Sequence, residues 1–192
     1  MAADAMPDLP LLVVVTGPPA GGKSSVAERL ARELRLPLVA KDAFKETLAD
    51  ALGAPADDEA SQRLGEATFP LLFLVLEHLL GAGVSAVAEA DFRPGPVDER
   101  FARLAERAPH RVVQVHVTAP YEVLVERYRG RAESGDRHPI HVDEERLDDM
   151  VEKLARDEWP PLELGSEVLA LDTADAGEAD LDALVGRVRE SL

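Results

Sequence analysis

Short apolar runs alternate with longer amphipathic runs along most of the chain. Leu11–Val15 is a continuous run of branched apolar residues that ends at a Gly-Pro pair, a pattern typical of a buried strand. The next run, Ser24–Leu36, places Val26, Leu30 and Leu34 on one face and charged residues elsewhere. This spacing predicts an amphipathic helix.

The same alternation continues to the end of the chain. Further strands are predicted over Pro37–Ala40, Val84–Ala90, Arg111–Val117 and Glu167–Leu171. Helices are predicted over Ala43–Leu52, Asp57–Gly81 (with a kink or break at Pro70), Asp98–Ala108, Pro120–Arg131, Asp143–Trp159 and Ala179–Leu192. Strands that alternate with helices indicate the α/β class, a parallel sheet covered on both faces that binds ligands at the carboxyl ends of its strands.

The turn between the first strand and the first helix carries a phosphate-binding motif. Gly17-Pro-Pro-Ala-Gly-Gly-Lys-Ser24 matches G-x-x-x-x-G-K-[ST] and lies between a buried strand and a helix, the context that the motif requires. A plain strand-to-helix turn would explain the glycines but not a Lys-Ser pair at this offset. We predict that Lys23 contacts the β- and γ-phosphates and that the Ser24 hydroxyl binds Mg²⁺. The predicted nucleotide-binding residues of this loop are Gly17, Pro18, Pro19, Ala20, Gly21, Gly22, Lys23, Ser24 and Ser25.

Composition and charge exclude several classes of protein. The 192 residues include 21 Lys and Arg against 37 Asp and Glu, a net charge of −16 that disfavours a long nucleic acid as a partner. The absence of cysteine excludes disulfides, thiolate metal sites and a cysteine nucleophile. Met1–Pro10 lacks the basic start of a signal peptide, and the longest apolar run, Leu71–Leu76, is too short to span a bilayer. We therefore expect a cytoplasmic protein without a membrane partner.

The phosphate-binding loop leaves several classes of nucleotide-binding protein open. The chain is too short for the extra domains of motor ATPases, and it lacks the Asn-Lys-x-Asp motif by which GTPases recognise guanine. Small kinases remain as the favoured class. The pair His138 and His141 flanks Pro139 without a third candidate ligand, so no zinc site is predicted.

Five segments together resemble a known group of small P-loop kinases, the AAA_33-type and chloramphenicol phosphotransferase-like enzymes, with gluconate, shikimate and adenylylsulfate kinases as more distant members. These segments are Gly17–Ser24, Lys41-Asp42, Glu89–Phe92, the Arg127 and Arg131 pair, and Asp172-Thr173. The resemblance implies one domain over residues 1–192, built as a three-layer sandwich around a five-stranded parallel sheet of order 2-3-1-4-5. It also implies ATP as phosphoryl donor and a small lid, here residues 127–142.

Asp42 follows the second predicted strand, at the carboxyl edge of the sheet. The resemblance implies a general base for the acceptor hydroxyl at this position, which requires a carboxylate within hydrogen-bond reach. An alternative is that Asp42 only caps a helix that begins at Ala43. The flanking residues Lys41 and Lys45 are candidates for binding an anionic group of the substrate, or are simply solvated.

Acidic and basic residues follow the third strand. The resemblance implies that Glu89 holds Mg²⁺ through water, and Asp91 points to the same side of an extended chain as Glu89. Arg93 in the following loop is a candidate substrate contact. The alternative is that the two acids face water at the end of the strand.

Arginines cluster after the fourth strand. Arg127 and Arg131 share one helix face, and Arg137 lies in the polar segment beyond them. The resemblance implies that lid arginines stabilise the transferring phosphoryl group, with Arg131 favoured over Arg127 and Arg137 near the substrate. An exposed helix with glutamate ion pairs is the alternative. Thr173, after the fifth strand, is expected to border the adenine.

These observations predict an ATP- and Mg²⁺-dependent kinase that phosphorylates a hydroxyl of a small molecule such as an antibiotic or another metabolite. The alternatives are a nucleotide, nucleoside or polynucleotide-end kinase, and an ATP-binding regulatory module without catalysis. The apolar run Phe69–Leu80 favours a partly apolar acceptor, whereas Lys41 and Lys45 favour an anionic one. The sequence is compatible with a monomer or a homodimer.

Overall fold

Five parallel strands form the centre of the molecule. The computed structural model describes residues 9–53, 57–134, 137–141, 146–156 and 158–192. Within these residues one sheet has the order β2-β3-β1-β4-β5, and every neighbouring pair is parallel. This arrangement confirms the predicted fold class and strand order. The strands are β1 Leu11–Thr16, β2 Leu38–Ala40, β3 Ala86–Glu89, β4 Arg111–Thr118 and β5 Glu167–Asp172.

Helices cover both faces of the sheet. Successive residues of β1 point to opposite faces. Leu11, Val13 and Val15 pack in one apolar cluster with the first and last helices, whereas Leu12 and Val14 pack in a second cluster with the third and fourth. The structure is therefore a three-layer sandwich. The helices are α1 Lys23–Leu34, α2 Lys41–Leu52, α3 Asp58–Gly81, α4 Pro96–Arg107, α5 Tyr121–Ser134, α6 Leu147–Arg156 and α7 Glu178–Glu190, with a 3-10 turn at Pro139–His141.

Helix α2 begins earlier than the sequence predicts. Its N-cap is Ala40, which has an extended backbone, and its first helical residue is Lys41. Asp42 is consequently the second residue of the helix and does not cap it, so the capping interpretation of Asp42 is wrong. The chain passes directly from β2 into α2, and this places the Asp42 side chain at the carboxyl edge of the sheet.

Helix α3 continues through Pro70, so the predicted break is absent. Pro70 lies on the exposed face, where water can hydrogen-bond the carbonyl oxygen that proline leaves without a donor. Asp57 caps this helix, because its carboxylate accepts a hydrogen bond of 2.8 Å from the amide of Ala60.

One stretch of α3, Glu59–Gly81, is long and apolar enough by length and composition to cross a membrane, with a mean hydropathy of 1.4. Core helices of soluble proteins also meet this criterion. Leu72, Leu76 and Leu80 are almost completely buried and pack on the sheet with Leu12 and Val14. One face of α3 thus belongs to the core of the α/β sandwich.

Other predicted boundaries differ by a few residues. Strand β3 is limited to Ala86–Glu89, and all four of its residues are buried. Helix α6 ends at Arg156, so Trp159 is not helical, and the predicted helix start at Asp143 lies outside the described residues. Of the predicted lid, residues 127–134 belong to α5, whereas residues 135, 136 and 142 lie outside the described part of the chain.

Candidate nucleotide and acceptor site

The loop between β1 and α1 depends on two glycines with backbone conformations that side chains rarely adopt. Gly17 has a φ of +140°, and a Cβ atom there would lie 2.1 Å from the carbonyl oxygen of Val117. Gly22, the N-cap of α1, has a φ of +87°. Glycine is required at Gly17 because β4 passes directly beneath the loop. The close approach holds the loop against the carboxyl end of the sheet.

Lys23 is the first residue of α1, and its side chain folds back over the loop. Its Nζ donates hydrogen bonds to the carbonyl oxygens of Gly17 (3.0 Å) and Pro18 (2.8 Å) and lies 3.8 Å from a carboxylate oxygen of Asp91. Burial lowers the pKa of Lys23, although the charges of Asp91 and Glu89 oppose this effect. The ammonium group is thus held at the phosphate-binding loop by weak neutral acceptors that a phosphate can replace.

A cavity of about 400 Å³ opens between this loop, the ends of β2 and β3, and helices α2 and α5. Most of the residues that the sequence singled out line it. From the loop these are Pro19, Ala20, Gly21, Gly22, Lys23, Ser24 and Ser25, and from the rest of the chain Lys41, Asp42, Lys45, Glu89, Asp91, Arg127, Arg131 and Arg137. Residues from five separate parts of the chain therefore meet in one place.

The charge of the cavity is opposite to that of the chain. Among the described residues, seven basic side chains line it against three carboxylates, although the whole chain has a net charge of −16. The basic residues are Lys23, Lys41, Lys45, Arg127, Arg131, Arg137 and Arg146. A cavity with this balance attracts anions and is suited to bind several phosphate groups.

Two acidic residues at the end of β3 lie beside Ser24 in the cavity wall. Glu89 is 6% exposed, and burial raises the pKa of its carboxyl to about 7, while the positive charge of Lys23 acts in the opposite direction. Asp91 has a buried oxygen, Oδ1, that accepts no hydrogen bond from any described residue. Hard oxygen donors of this kind suit Mg²⁺. No group of three His, Asp or Glu side chains in the described part of the chain could hold a metal ion, so phosphate or water oxygens would complete its coordination.

The raised pKa of Glu89 predicts a specific dependence of stability on pH. Above pH 4.5 the unfolded chain loses this proton, whereas the folded protein keeps it until about pH 7, so the wild-type protein loses stability across that window. Glu89→Gln removes this loss. Relative to wild type, its unfolding free energy is expected to rise by about 2–3 kcal/mol between pH 5 and pH 8, at about 1.4 kcal/mol per pKa unit. Urea denaturation of both ligand-free proteins at pH 5 and pH 8 measures this difference in unfolding free energy.

Glu99→Gln is the matched control, because Glu99 lies on the exposed side of α4 and forms a surface ion pair with Arg103. It should follow the pH profile of the wild-type protein. Identical profiles for Glu89→Gln and wild type would show that Glu89 ionises normally in the folded state.

Asp42 faces the cavity from the first turn of α2. Its carboxylate forms an ion pair with Arg137 and lies 3.9 Å from Nζ of Lys41. Burial by itself would raise the pKa of Asp42, but the charges of Arg137, His141 and Lys41 hold the pKa below its ordinary value. The side chain is therefore a carboxylate at neutral pH, the form that can accept a proton.

Arg127 and Arg131, two of the three arginines on α5, have different surroundings. Arg127 donates hydrogen bonds to the hydroxyl (2.8 Å) and the carbonyl oxygen (2.7 Å) of Thr173. The Thr173 hydroxyl in turn lies 2.9 Å from the carbonyl oxygen of Gly21, so Arg127 braces the phosphate-binding loop through Thr173. Arg131 lies with its guanidinium 4.7 Å from the ring centre of Tyr128. Arg131 thus reaches the cavity along an aromatic surface.

Arg93 is placed elsewhere. Its guanidinium stacks on the ring of Trp159 at 4.6 Å, and it is not among the residues that line the cavity. Sequence reasoning also missed several lining residues, namely Tyr128, His141, Arg146 and Met150. His141 was considered only as a metal ligand, yet its Nε2 lies 2.7 Å from a carboxylate oxygen of Glu46. Arg131 is offset by three residues from Tyr128 and by four from Arg127, and these offsets alone did not indicate which face of α5 turns inward.

Comparisons with known proteins agree with this geometry. The model of the AAA_33 family, described as an AAA domain, matches residues 12–156. A candidate kinase from Chloroflexus aurantiacus is 39% identical, covers 96% of this chain and 100% of its own, and superposes with a TM-score of 0.90. No curated protein matches the sequence significantly.

More distant structures share the fold. A sugar kinase from Janibacter sp. HTCC2649 is 22% identical, with 94% of this chain and 95% of that chain covered and a TM-score of 0.55. Kti12 from Chaetomium thermophilum, solved in complex with ADP-AlF3, is 19% identical, with 93% and 97% covered and a TM-score of 0.68. Because the family model spans most of the sheet and the whole phosphate-binding loop, the chain belongs to the AAA_33 family of AAA domains, with a P-loop kinase-like fold.

Proposed function

We propose that this protein is an ATP-dependent phosphotransferase that transfers the γ-phosphoryl group to a hydroxyl of a small molecule. The observation that carries the proposal is that a phosphate-binding loop and an ionised carboxylate, Asp42, line the same cavity. A protein that only binds nucleotide has no need of a carboxylate facing the end of the triphosphate, since the two repel each other.

The proposed reaction assigns a role to each side of the cavity. The amides of the loop and Lys23 bind the β- and γ-phosphates. Asp42 accepts the proton of the acceptor hydroxyl as its oxygen forms a bond to the γ-phosphorus. The bond from that phosphorus to the β–γ bridging oxygen breaks, and ADP leaves with the electron pair. Arg131 and Arg137 supply positive charge that stabilises the negative charge as it moves between these oxygens.

Mg²⁺ fits the residues present. The Ser24 hydroxyl and the carboxylates of Glu89 and Asp91 line the cavity together and would hold the ion. When bound, the ion neutralises charge on the β- and γ-phosphates. Glu89 must lose its proton to act as a carboxylate in this role.

A transfer assay tests the proposal. The wild-type protein is incubated with MgATP and a panel of sugars, sugar acids, nucleosides, nucleotides and hydroxylated antibiotics, and both ADP and phosphorylated products are quantified by mass spectrometry. We expect one acceptor class to yield product in a one-to-one ratio with ADP. Binding of ATP by calorimetry together with no product from any class would favour a regulatory nucleotide-binding module. Product from an oligonucleotide end would favour the polynucleotide-kinase alternative.

A further inference from the structure

Lys45 is a buried ammonium group whose hydrogen-bond partners in the described part of the chain are uncharged. It is 5% exposed and lines the cavity from the second turn of α2. Its Nζ donates to the hydroxyl of Ser61 (2.9 Å) and to the carbonyl oxygen of Ile140 (3.3 Å). No carboxylate of a described residue lies within ion-pair distance of it. Two neutral acceptors compensate a buried positive charge only in part, and among the described residues they take two of the three N–H donors of the ammonium group.

Lys41 lies on the same face of α2, one turn before Lys45. Gly65 of α3 packs over both side chains, since a Cβ atom at Gly65 would lie 3.7 Å from Nζ of Lys41 and 3.7 Å from Cε of Lys45. Nζ of Lys41 also lies 5.2 Å from the ring centre of Phe69. Packing against α3 therefore holds both lysines together beside Asp42 and away from bulk solvent.

Arg137 and Arg146 line the same end of the cavity and crowd the two lysines. Burial, together with the positive charges of Arg146 and Lys41, lowers the pKa of Lys45 to about 8. Like charges repel in the ligand-free protein, and a bound anion would relieve that repulsion. Lys41, Asp42 and Lys45 come from α2, and Arg137 and Arg146 from the chain after α5, whereas the phosphate-binding loop lies between β1 and α1.

The apolar alternative for the acceptor loses its basis in the structure. Phe73 packs edge-to-face on Phe101 at 5.0 Å, and Phe69 lies 6.2 Å from Phe92, so these rings belong to the core. Among the described residues that line the cavity, none comes from Phe69–Leu80. The segment that suggested an apolar acceptor therefore does not line the cavity.

We propose that the phosphoryl acceptor carries an anionic group, a phosphate ester or a carboxylate, and that Lys45 and Lys41 bind this group while Asp42 receives the hydroxyl proton. The inference rests on the proposed function, because it names the substrate class of the same site. Lys45 sets specificity and KM for the acceptor, and Asp42 sets the rate of transfer.

The first test is a binding experiment that does not require turnover. Inorganic phosphate is titrated into the protein saturated with Mg²⁺ and a non-hydrolysable ATP analogue, so that the loop is already filled, at constant ionic strength. We expect saturable thermal stabilisation by phosphate, and at least a tenfold weaker apparent affinity in Lys45→Met and in Lys41→Met. Lys153→Met, on α6 away from the cavity wall, is the matched control and should bind phosphate as wild type does. Equal affinity in wild type and both cavity variants, or no saturable binding in wild type, would overturn the inference.

The second test uses matched acceptors that differ in one group. Glucose, gluconate and glucose 6-phosphate form one set, and uridine and uridine 5′-monophosphate form another. Product from the anionic members alone, with a tenfold or larger rise in acceptor KM and an unchanged KM for MgATP in Lys45→Met, would support the proposal. The choice between gluconate and glucose 6-phosphate distinguishes a carboxylate from a phosphate ester.

The outcomes separate the two proposals. Equal transfer to the neutral members, unaffected by Lys45→Met, would overturn the anionic acceptor and leave the phosphotransferase intact. Lys45-dependent phosphate binding without transfer to any acceptor would overturn the phosphotransferase and keep the anion site. If the ATP analogue does not bind, the phosphate titration is repeated with Lys23→Met and with the Lys23→Met/Lys45→Met double variant. A weaker affinity for phosphate in the double variant than in Lys23→Met then reports on Lys45.

Discussion

Lys23→Met is expected to lower the rate of phosphoryl transfer by about a thousandfold, because it removes the positive charge nearest to the β- and γ-phosphates. The same change should weaken binding of MgATP by about tenfold. The ligand-free variant should be as stable as wild type or more so, since burial disfavours the charged form of Lys23 in the free protein and methionine fills a similar volume. Steady-state kinetics, calorimetry and thermal denaturation measure the three effects separately.

Lys153→Met is the matched control for Lys23→Met as well. It makes the same lysine-to-methionine replacement on α6, at a residue that does not line the cavity. Its kinetics should equal those of wild type. Transfer by Lys23→Met within tenfold of the wild-type rate would show that the triphosphate does not occupy the loop in the way proposed.

Asp42→Asn is expected to lower kcat by at least about a hundredfold, the usual contribution of a positioned general base. The amide keeps the shape of the carboxylate but cannot take the acceptor proton. The KM for MgATP should stay within twofold, because in the proposed reaction Asp42 contacts the acceptor hydroxyl and not the phosphates. Because the negative charge of Asp42 beside Arg137 is removed, the variant should also bind inorganic phosphate more tightly than wild type.

Asp50→Asn provides the control for this prediction. Asp50 lies on the same helix, is exposed, and pairs with His138 at 3.1 Å. Its kcat should equal that of wild type. A wild-type kcat in Asp42→Asn would show that Asp42 only holds Arg137, and the acceptor hydroxyl would then lose its proton without this residue.

Local patterns determined a large part of this protein. The G-x-x-x-x-G-K-S motif, the buried strand before it and the amphipathic helix after it are set by residues within about ten positions of each other, so the loop was predictable from the sequence. The continuous apolar character of β1 predicted a buried strand, and the structure buries all six of its residues. The resemblance of several short segments to small P-loop kinases supplied the strand order that the structure confirms.

Boundaries were harder to predict, because competing local preferences differ little in free energy. Asp42 suits an N-cap, but Ala40 takes that position where β2 ends, and the helix starts two residues earlier. Pro70 predicts a break, but burial of Leu72 and Leu76 against the sheet keeps α3 continuous. Tertiary packing outweighed the preference of Asp42 for the N-cap, worth about 1 kcal/mol. It also outweighed the helix-breaking effect of Pro70, worth a few kcal/mol.

The sequence by itself determined the nucleotide-binding loop, the α/β class and the set of charged residues near it, because each follows from periodicity or from a short motif. Only the tertiary structure decided which of those charges face one another. Arg137 pairs with Asp42, which lies 95 positions earlier in the chain, and Lys45 donates a hydrogen bond to Ile140, 95 positions later. Arg93 stacks on Trp159 and does not line the cavity. Such contacts depend on where the helices pack on the sheet, and no local pattern encodes that. The same packing turned Phe69 and Phe73 towards the core, so that neither lines the cavity.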